Sequence, residues 1–361
     1  MTRHLVLAGG GHAHVEVLRR LASRPLPGWR VTLLSRAAVA PYSGMLPGVA
    51  AGLYRPEEAS IDLAALAERA GASLVVDAVT GVDAAARRVL RKGGAPLGYD
   101  LLVINTGAEP ALARVPGTAE HAIPVKPVDV LLSRLAALAA GMRVALVGGG
   151  AGGTEMAFAL AARLRGAQVM LVAGAAGLLP GFPAAFRGAV RRGMAERRVA
   201  LLEGEDVTAV TADGLMFPAA PPLRADAVLW ATGAAPPAWL AASGLPRDAA
   251  GFLQVEETLR VTGQDAVFAA GDIAGFTAGA LPKAGVHAVR QGPVLARNLR
   301  AAAEGGTLTA HRPQQGALVL LSLGDGTAIG TRNGIVVRGR WVWQWKDWID
   351  RRFMQRYAED A

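Results

Sequence analysis

One short pattern occurs twice in this chain and limits the fold more than any other feature. Residues 4–8 (HLVLA) are an apolar run, followed by Gly9-Gly10-Gly11-His12-Ala13-His14 and a helical stretch over residues 15–22. Arg143–Val147 is a second apolar run, followed by Gly148-Gly149-Gly150-Ala151-Gly152-Gly153 and a helical stretch from Thr154 to about Arg165. Each reads as the strand–turn–helix opening of a dinucleotide-binding unit. The first glycine makes the tight turn and the second lets a pyrophosphate approach the backbone. The third allows close helix–strand packing, with the helix N-terminus facing the phosphates. Gly148, Gly150 and Gly153 satisfy the full spacing; the first copy has Gly9 and Gly11 but His14 in the third place, so its helix is expected to stand off or tilt. One such turn is a weak signal; two, each in strand-to-helix context, are a strong one.

Each copy has a matching downstream strand. Residues 99–105 end in Thr106-Gly107-Ala108, and residues 226–231 end in Thr232-Gly233-Ala234. A third strand, residues 266–270, ends in Gly271-Asp272-Ile273. An aspartate at a strand's C-terminal edge, beside helix ends that hold phosphate, is placed to accept hydrogen bonds from sugar-alcohol hydroxyls. After Gly271 it could also be a plain turn residue.

Composition removes whole classes of chemistry. At 361 residues the chain is long enough for two or three domains, and 52% hydrophobic with 19% charged residues fits a folded core. There is no cysteine. That excludes disulfides, thiolate metal sites, cysteine-held iron–sulfur clusters and redox-active thiol pairs. No histidine pair has metal-ligand spacing apart from His12 and His14 in the glycine turn, so no metal is expected. The net charge of +9 favours anionic partners. The excess is mostly arginine, since only Lys92, Lys126, Lys283 and Lys346 are lysines (38 − 4 = 34 arginines), and no nucleic-acid-binding module accompanies it. The long uncharged stretches, residues 37–54, 166–186 and 227–246, are interrupted by prolines and glycines and do not read as spanning helices. With no targeting segment at the start, the expected location is cytoplasmic, with attachment to the inner membrane face left open.

The order of these motifs resembles the pyridine nucleotide–disulfide oxidoreductase superfamily, over nearly the whole chain. Within it, Pro41-Tyr42-Ser43-Gly44-Met45-Leu46-Pro47-Gly48, Val125-Lys126-Pro127 and the run from Leu281 to Gly292 (LPKAGVHAVRQG) are similar to the type II NADH dehydrogenase-like branch. So is the Trp-rich tail. More narrowly, the chain resembles the NADH dehydrogenase-like domain found fused to selenide, water dikinase, without the kinase part.

The resemblance implies an α/β fold of two Rossmann-like dinucleotide-binding domains, the NAD(P)H domain inserted in the FAD domain. The expected boundaries are 1–118 and 244–304 for the FAD domain, 119–243 for the NAD(P)H domain, and 305–361 for a C-terminal extension. It implies non-covalent FAD as cofactor, NADH or NADPH as co-substrate, and a quinone or similar non-disulfide acceptor. FAD would lie against Gly9, Gly11, His12, Ala13, Ser35 and Arg36, then Ser43, Met45, Thr106 and Gly107, and finally Gly271, Asp272 and Lys283. The nicotinamide nucleotide would lie against Gly148, Gly150, Gly153, Glu155, Thr232 and Gly233. Lys283, in a loop opening a helix over residues 285–298, would stabilise negative charge on the reduced flavin. Glu155 would face the nicotinamide–flavin contact and place the carboxamide, although an acid in a first helical turn is favoured by the helix dipole in any protein.

Two features bear on the nucleotide and the partner. A ribose-binding acid is expected about 20 residues past each glycine turn. The first copy instead has Ser35-Arg36 and the second Ala173-Gly174, so NADH and NADPH are not separated, and a flavin-binding partner protein of selenium metabolism with little nicotinamide turnover stays open. In residues 340–357, Trp341, Trp345, Trp348, Ile349, Phe353 and Tyr357 fall near one helical face, with Arg340, Lys346, Arg351, Arg352 and Arg356 as a basic complement. Such a helix suits an anionic membrane surface. Docking on the protein's own core or on a homodimer partner is the alternative, which would fit a soluble reductase of a small redox protein.

Overall fold

The computed structural model describes residues 2–358 apart from 127, 280, 315 and 317, so Pro127 of the Val125-Lys126-Pro127 match and residues 359–361 lie outside the described residues. Two five-stranded parallel sheets dominate it. The first orders its strands Val267–Ala269, Leu101–Ile104, Arg3–Ala8, Trp29–Ser35 and Ala72–Val76. The second orders Ala122–Pro124, Ala227–Trp230, Arg143–Val147, Gln168–Val172 and Ala200–Leu202. Both show why the strands read as unbroken apolar runs. Helices or loops cover both faces of a parallel sheet, so alternate residues are buried alike, and Leu5, Val6, Leu7 and Ala8 are all inaccessible.

The helices that follow the two glycine turns are His12–Ser23 and Ala151–Arg163. The helix expected over residues 285–298 continues to Glu304, through Pro293, and stops at Gly305, whose φ of +74° suits glycine. Two short strands, Glu109–Pro110 and Ala234–Ala235, leave the two Thr-Gly turns and pair antiparallel, tying the units together.

The C-terminal segment makes a second tie. Its antiparallel sheet, Val319–Ser322, Ala328–Arg332 and Ile335–Gly339, sends Leu321, Leu323 and Ile329 into the core built by Leu146, Phe158 and Phe186. Its helix, Arg340–Gln355, sends Phe353, with Tyr357 just beyond, into the core that holds Leu18 and Leu63. Burying each large side chain contributes about 1.5–3 kcal/mol. The tail is therefore part of both units.

That helix corrects the sequence expectation. At 100° per residue Trp341, Trp345 and Trp348 lie within about 60° of one another, whereas Phe353 and Tyr357 lie over 100° away from Trp348. The three tryptophans are exposed; Val342, Asp350, Phe353 and Tyr357 are buried, and Ile349 is half-buried. Lys346 does not belong to an exposed basic face, because its side chain is 11% accessible. Apolar residues occupy two faces of this helix, and only one of them docks.

Candidate dinucleotide and flavin site

The two glycine turns share a backbone path: Gly11 and Gly150 cap their helices at φ −73°, ψ 162° and φ −72°, ψ 175°. Gly9 and Gly148 take φ of +106° and +134°, which only glycine adopts without strain. A Cβ on Gly9 would stand 2.5 Å from the Asn105 carbonyl, and one on Gly153 would collide with the Gly148 carbonyl. At the third place of the first turn the His14 ring is buried, and its Nδ1 lies 2.6 Å from the Gly9 carbonyl. It thus bridges the helix to the turn where Gly153 makes direct backbone contact. Burial pushes the His14 imidazole down to about 4, so at neutral pH it is uncharged and Nδ1–H donates.

The pieces of the first cradle converge as the sequence placed them. Ser35 is buried at the end of its strand, and its Oγ lies 2.6 Å from where a Gly10 Cβ would be; Arg36 is exposed. Thr106 Oγ1 and His12 Nε2 are buried without a hydrogen-bond partner. Such orphaned polar atoms are what a bound cofactor's hydroxyls and ring would satisfy. His12 is pushed down to about 4, chiefly by burial and then by Lys126, against an opposing pull from Asp272. Met45 is buried, and Ser43 Oγ sits 2.7 Å from where a Gly285 Cβ would be, joining the 41–48 segment to the start of the Gly285–Glu304 helix.

Asn105, Gln291 and Lys126, none of them among the expected site residues, help hold this geometry. Asn105 accepts from Ala13 N at 3.1 Å and donates to the Ala270 carbonyl at 2.6 Å, clasping the first helix to the third strand. Gln291 accepts from Gly271 N at 2.6 Å and so fixes the Gly-Asp turn. Asp272 is paired with Lys126 at 2.9 Å, with side chains 12% and 51% accessible. Asn105 adjoins Thr106 in sequence, but nothing local distinguishes it from an ordinary turn asparagine.

The Lys126–Asp272 pair has a wider meaning. Lys126 follows the Ala122–Pro124 edge strand of one sheet, and Asp272 follows the Val267–Ala269 edge strand of the other. The C-terminal edges of both sheets therefore meet. In parallel α/β sheets that edge is where ligands bind.

The second cradle is open. A Cβ on Gly150 would meet nothing within 4 Å, although the residue caps a helix with an ordinary φ. Thr232 and Gly233, the latter at φ +61°, close the end of the adjacent strand Ala227–Trp230. Beyond Ala173-Gly174 the loop folds back: Leu179 N donates to the Gly149 carbonyl at 2.7 Å, and Asp206 Oδ1 accepts from Ala175 N at 2.9 Å.

Lys283 and Glu155 are each held by groups far from them in sequence or outside the glycine turns. The Lys283 ammonium donates to the Ala274 carbonyl at 2.6 Å and lies 3.8 Å from the centroid of the Phe252 ring. Burial lowers it, and Asp248 and Asp272 oppose that. It is anchored beneath the loop rather than left free. Glu155 accepts from Ser322 N at 2.8 Å, a residue of the C-terminal sheet. Burial raises its carboxyl above the usual range, with Lys346 pulling the other way. Lys346 donates to the Gly44 carbonyl at 2.8 Å and to Asp350 Oδ2 at 2.6 Å, and Tyr42 OH donates to Asp350 Oδ1 at 3.2 Å. Tyr42 stacks on Phe353 at 4.3 Å between centroids and meets the edge of His12 at 5.6 Å.

Two glycine cradles on parallel sheets, edge to edge, define a two-dinucleotide oxidoreductase. The chain belongs to the pyridine nucleotide-disulphide oxidoreductase family, whose model matches residues 3–292. The family is FAD-dependent with NAD(P)H as co-substrate, and this chain is an enzyme of that kind. It is 26% identical over 276 residues to an NADH dehydrogenase-like protein of Bacillus subtilis, covering 75% of this chain and 77% of that one. It is 32% identical over 214 residues to an alternative NAD(P)H-ubiquinone oxidoreductase of Arabidopsis thaliana, covering 51% of this chain and only 41% of the relative. Its fold matches the sulfide:quinone oxidoreductase of Aquifex aeolicus with a TM-score of 0.81 at 18% identity, covering 98% of this chain and 91% of that structure.

Proposed function

We propose that the enzyme is an NAD(P)H dehydrogenase that passes an electron pair from the nicotinamide through FAD to a quinone or a similar acceptor. The observation that carries this is the meeting of two ligand-binding sheet edges at Lys126–Asp272 in a chain without cysteine. Without a thiol pair, electrons leaving a flavin here have no disulfide of this chain to pass through. FAD supplies the hydride-accepting and electron-donating chemistry. The residues present fit it: the Gly9–Gly11 turn and the helix N-terminus would hold the pyrophosphate, Ser35 the ribose, and Asp272 the ribityl hydroxyls. The Gly148–Gly150 turn would hold the nicotinamide nucleotide's pyrophosphate, with Glu155 in the first helical turn beyond it on the side of the nicotinamide. Lys283, bonded to the Ala274 carbonyl, keeps positive charge near the junction.

The exposed Trp341, Trp345 and Trp348, with Arg352 stacked 5.1 Å over Trp348, support docking on an anionic membrane surface at the inner face of the cell membrane. Among the described residues no helix is long and apolar enough to cross a membrane.

The test is anaerobic stopped-flow. NADH or NADPH should bleach the bound flavin, and a short-chain quinone should restore its absorbance. A flavin that neither nicotinamide bleaches would overturn the reading in favour of a flavin-binding partner protein of selenium metabolism, the alternative supported by the missing acid at Ala173-Gly174. Rapid bleaching with no reoxidation by quinones would favour a soluble redox protein as acceptor.

A further inference from the structure

The strand Gln168–Val172 of the second cradle runs into Ala173-Gly174, with no acid where a dinucleotide-binding unit holds its adenosine ribose. The neighbouring parallel strand, Ala200–Leu202, ends beside it and is followed by Glu203, Glu205 and Asp206. Three hydrogen bonds fasten the two strand ends together. Ala173 N donates to the Leu202 carbonyl at 2.8 Å, Gly204 N to the Gly174 carbonyl at 2.9 Å, and Ala175 N to Asp206 Oδ1 at 2.9 Å. Asp206 stands in the place of the missing side chain. Gly174 has φ of +70°, and a Cβ built there would lie 2.6 Å from Asp206 Oδ1. On its other side the strand end meets the glycine turn: the Ala173 Cβ is 2.7 Å from where a Gly149 Cβ would be.

Of the three acids, only Asp206 is left with acceptor capacity and an unbalanced charge. Glu203 accepts from Leu178 N at 2.8 Å and is paired with Arg191 through both oxygens, at 3.0 and 2.9 Å. Arg191 holds the Glu203 carboxyl below the usual range against the effect of burial, and Arg187 adds to its pull. Glu205 Oε2 accepts from Ala220 N at 2.9 Å. Asp206 is exposed, and among the described residues its single hydrogen bond is the one to Ala175 N, with the local arginine pairing to Glu203 instead. An ionised carboxylate has about four acceptor positions, so room remains for both hydroxyls of a ribose. No lysine or arginine occurs in residues 173–182 to meet a 2′-phosphate. Arg187, on the Ala184–Glu196 helix, has its Nε buried and unpaired.

We propose that Asp206, supplied by the next strand, takes the place of the ribose-binding acid absent at Ala173-Gly174 and makes the enzyme select NADH over NADPH. The inference rests on the nicotinamide-dehydrogenase reading above and decides which nucleotide that site takes. The 2′ and 3′ hydroxyls of NADH donate to the Asp206 carboxylate. In NADPH the 2′-hydroxyl is replaced by a phosphate, which brings negative charge against that carboxylate and has no donor to offer it. The departure at Ala173-Gly174 is then a relocation of the acid from one strand end to its neighbour, and it ceases to favour a protein without nicotinamide turnover.

The experiment measures flavin reduction in the flavin-loaded enzyme against NADH and NADPH concentration, and separately the binding of ADP-ribose and of its 2′-phosphate by calorimetry. A hydrogen bond to a charged group is worth about 10- to 100-fold in affinity. The unsubstituted enzyme should therefore hold NADH, and ADP-ribose, at least about 10-fold more tightly than the 2′-phosphorylated counterpart. Asp206→Asn keeps an acceptor for Ala175 N and removes the charge. It should weaken NADH, strengthen NADPH, and shrink the ratio of their dissociation constants by about 10-fold. If Asp206 only pins the 173–175 turn, the substitution changes both nucleotides alike, and an unmoved ratio overturns the proposal. So does an unsubstituted enzyme that prefers NADPH, which would assign Arg187 to the 2′-phosphate, or one that does not discriminate. The calorimetry needs no turnover. If neither nicotinamide reduces the flavin while ADP-ribose still binds in preference to its 2′-phosphate, the dehydrogenase reading fails and the assignment of Asp206 stands.

Discussion

Gly150→Val should separate the two nucleotide cradles. The added Cβ points into open space, with no atom within 4 Å, and the backbone at φ −72° is acceptable to valine. The folded protein should lose no more than about 1 kcal/mol, or a few degrees in Tm. The pyrophosphate loses its approach to the turn. Two charge-assisted hydrogen bonds at about 1.5–3 kcal/mol each amount to about 3–6 kcal/mol, or a 10²–10⁴-fold weaker nicotinamide. Flavin content should be unchanged. Gly11→Val is the contrasting case: its Cβ would fall on the Asn105 side chain and 2.6 Å from the Asn105 carbonyl, so folding and flavin loading should fail together. The assay measures flavin per chain by absorbance and the rate of anaerobic bleaching against NADH and NADPH concentration. Lost flavin with normal bleaching of the remainder in Gly150→Val would show that the two cradles are assigned the wrong way round.

Heat-released cofactor should be FAD by mass spectrometry, and Asp272→Ala should lower its affinity about 10- to 100-fold; undiminished loading would make Asp272 only the Lys126 partner. His12 and His14, both lowered to about 4 by burial, bind fewer protons folded than unfolded, so stability should be full above about pH 6.5 and fall as pH drops toward 4. Denaturant melts at pH 7.5, 6 and 5 should show this slope at up to about 1.4 kcal/mol per pH unit for each histidine, and a flat profile would refute it. Replacing Trp341, Trp345 and Trp348 together by Ser should abolish sedimentation with anionic liposomes without unfolding the protein, because these side chains are exposed; retained sedimentation would place membrane contact elsewhere. Truncating the helix would be a poorer test, since Lys346, Phe353 and Tyr357 are lost with it.

The sequence by itself determined the two cradles and the chemistry they exclude. A tight turn beneath a phosphate needs glycine at fixed spacing, a requirement satisfied within a dozen residues and therefore visible in any short window. The absence of cysteine is equally plain. His14 in the third glycine place could be read as a departure, but not as the buried hydrogen-bonded bridge to Gly9 that it is. The C-terminal helix was beyond local reading because it has apolar side chains on two faces, and periodicity does not say which of them docks. Lys346 shows the same limit. A lysine four residues from an aspartate usually lies on a solvated face. Here Gly44, which accepts its hydrogen bond, is 302 residues away in sequence. Glu155, whose charge helps keep the ammonium protonated, comes from the second dinucleotide-binding unit. Only tertiary folding brings together the groups that make burying that charge affordable, because desolvation is compensated by what is near in space.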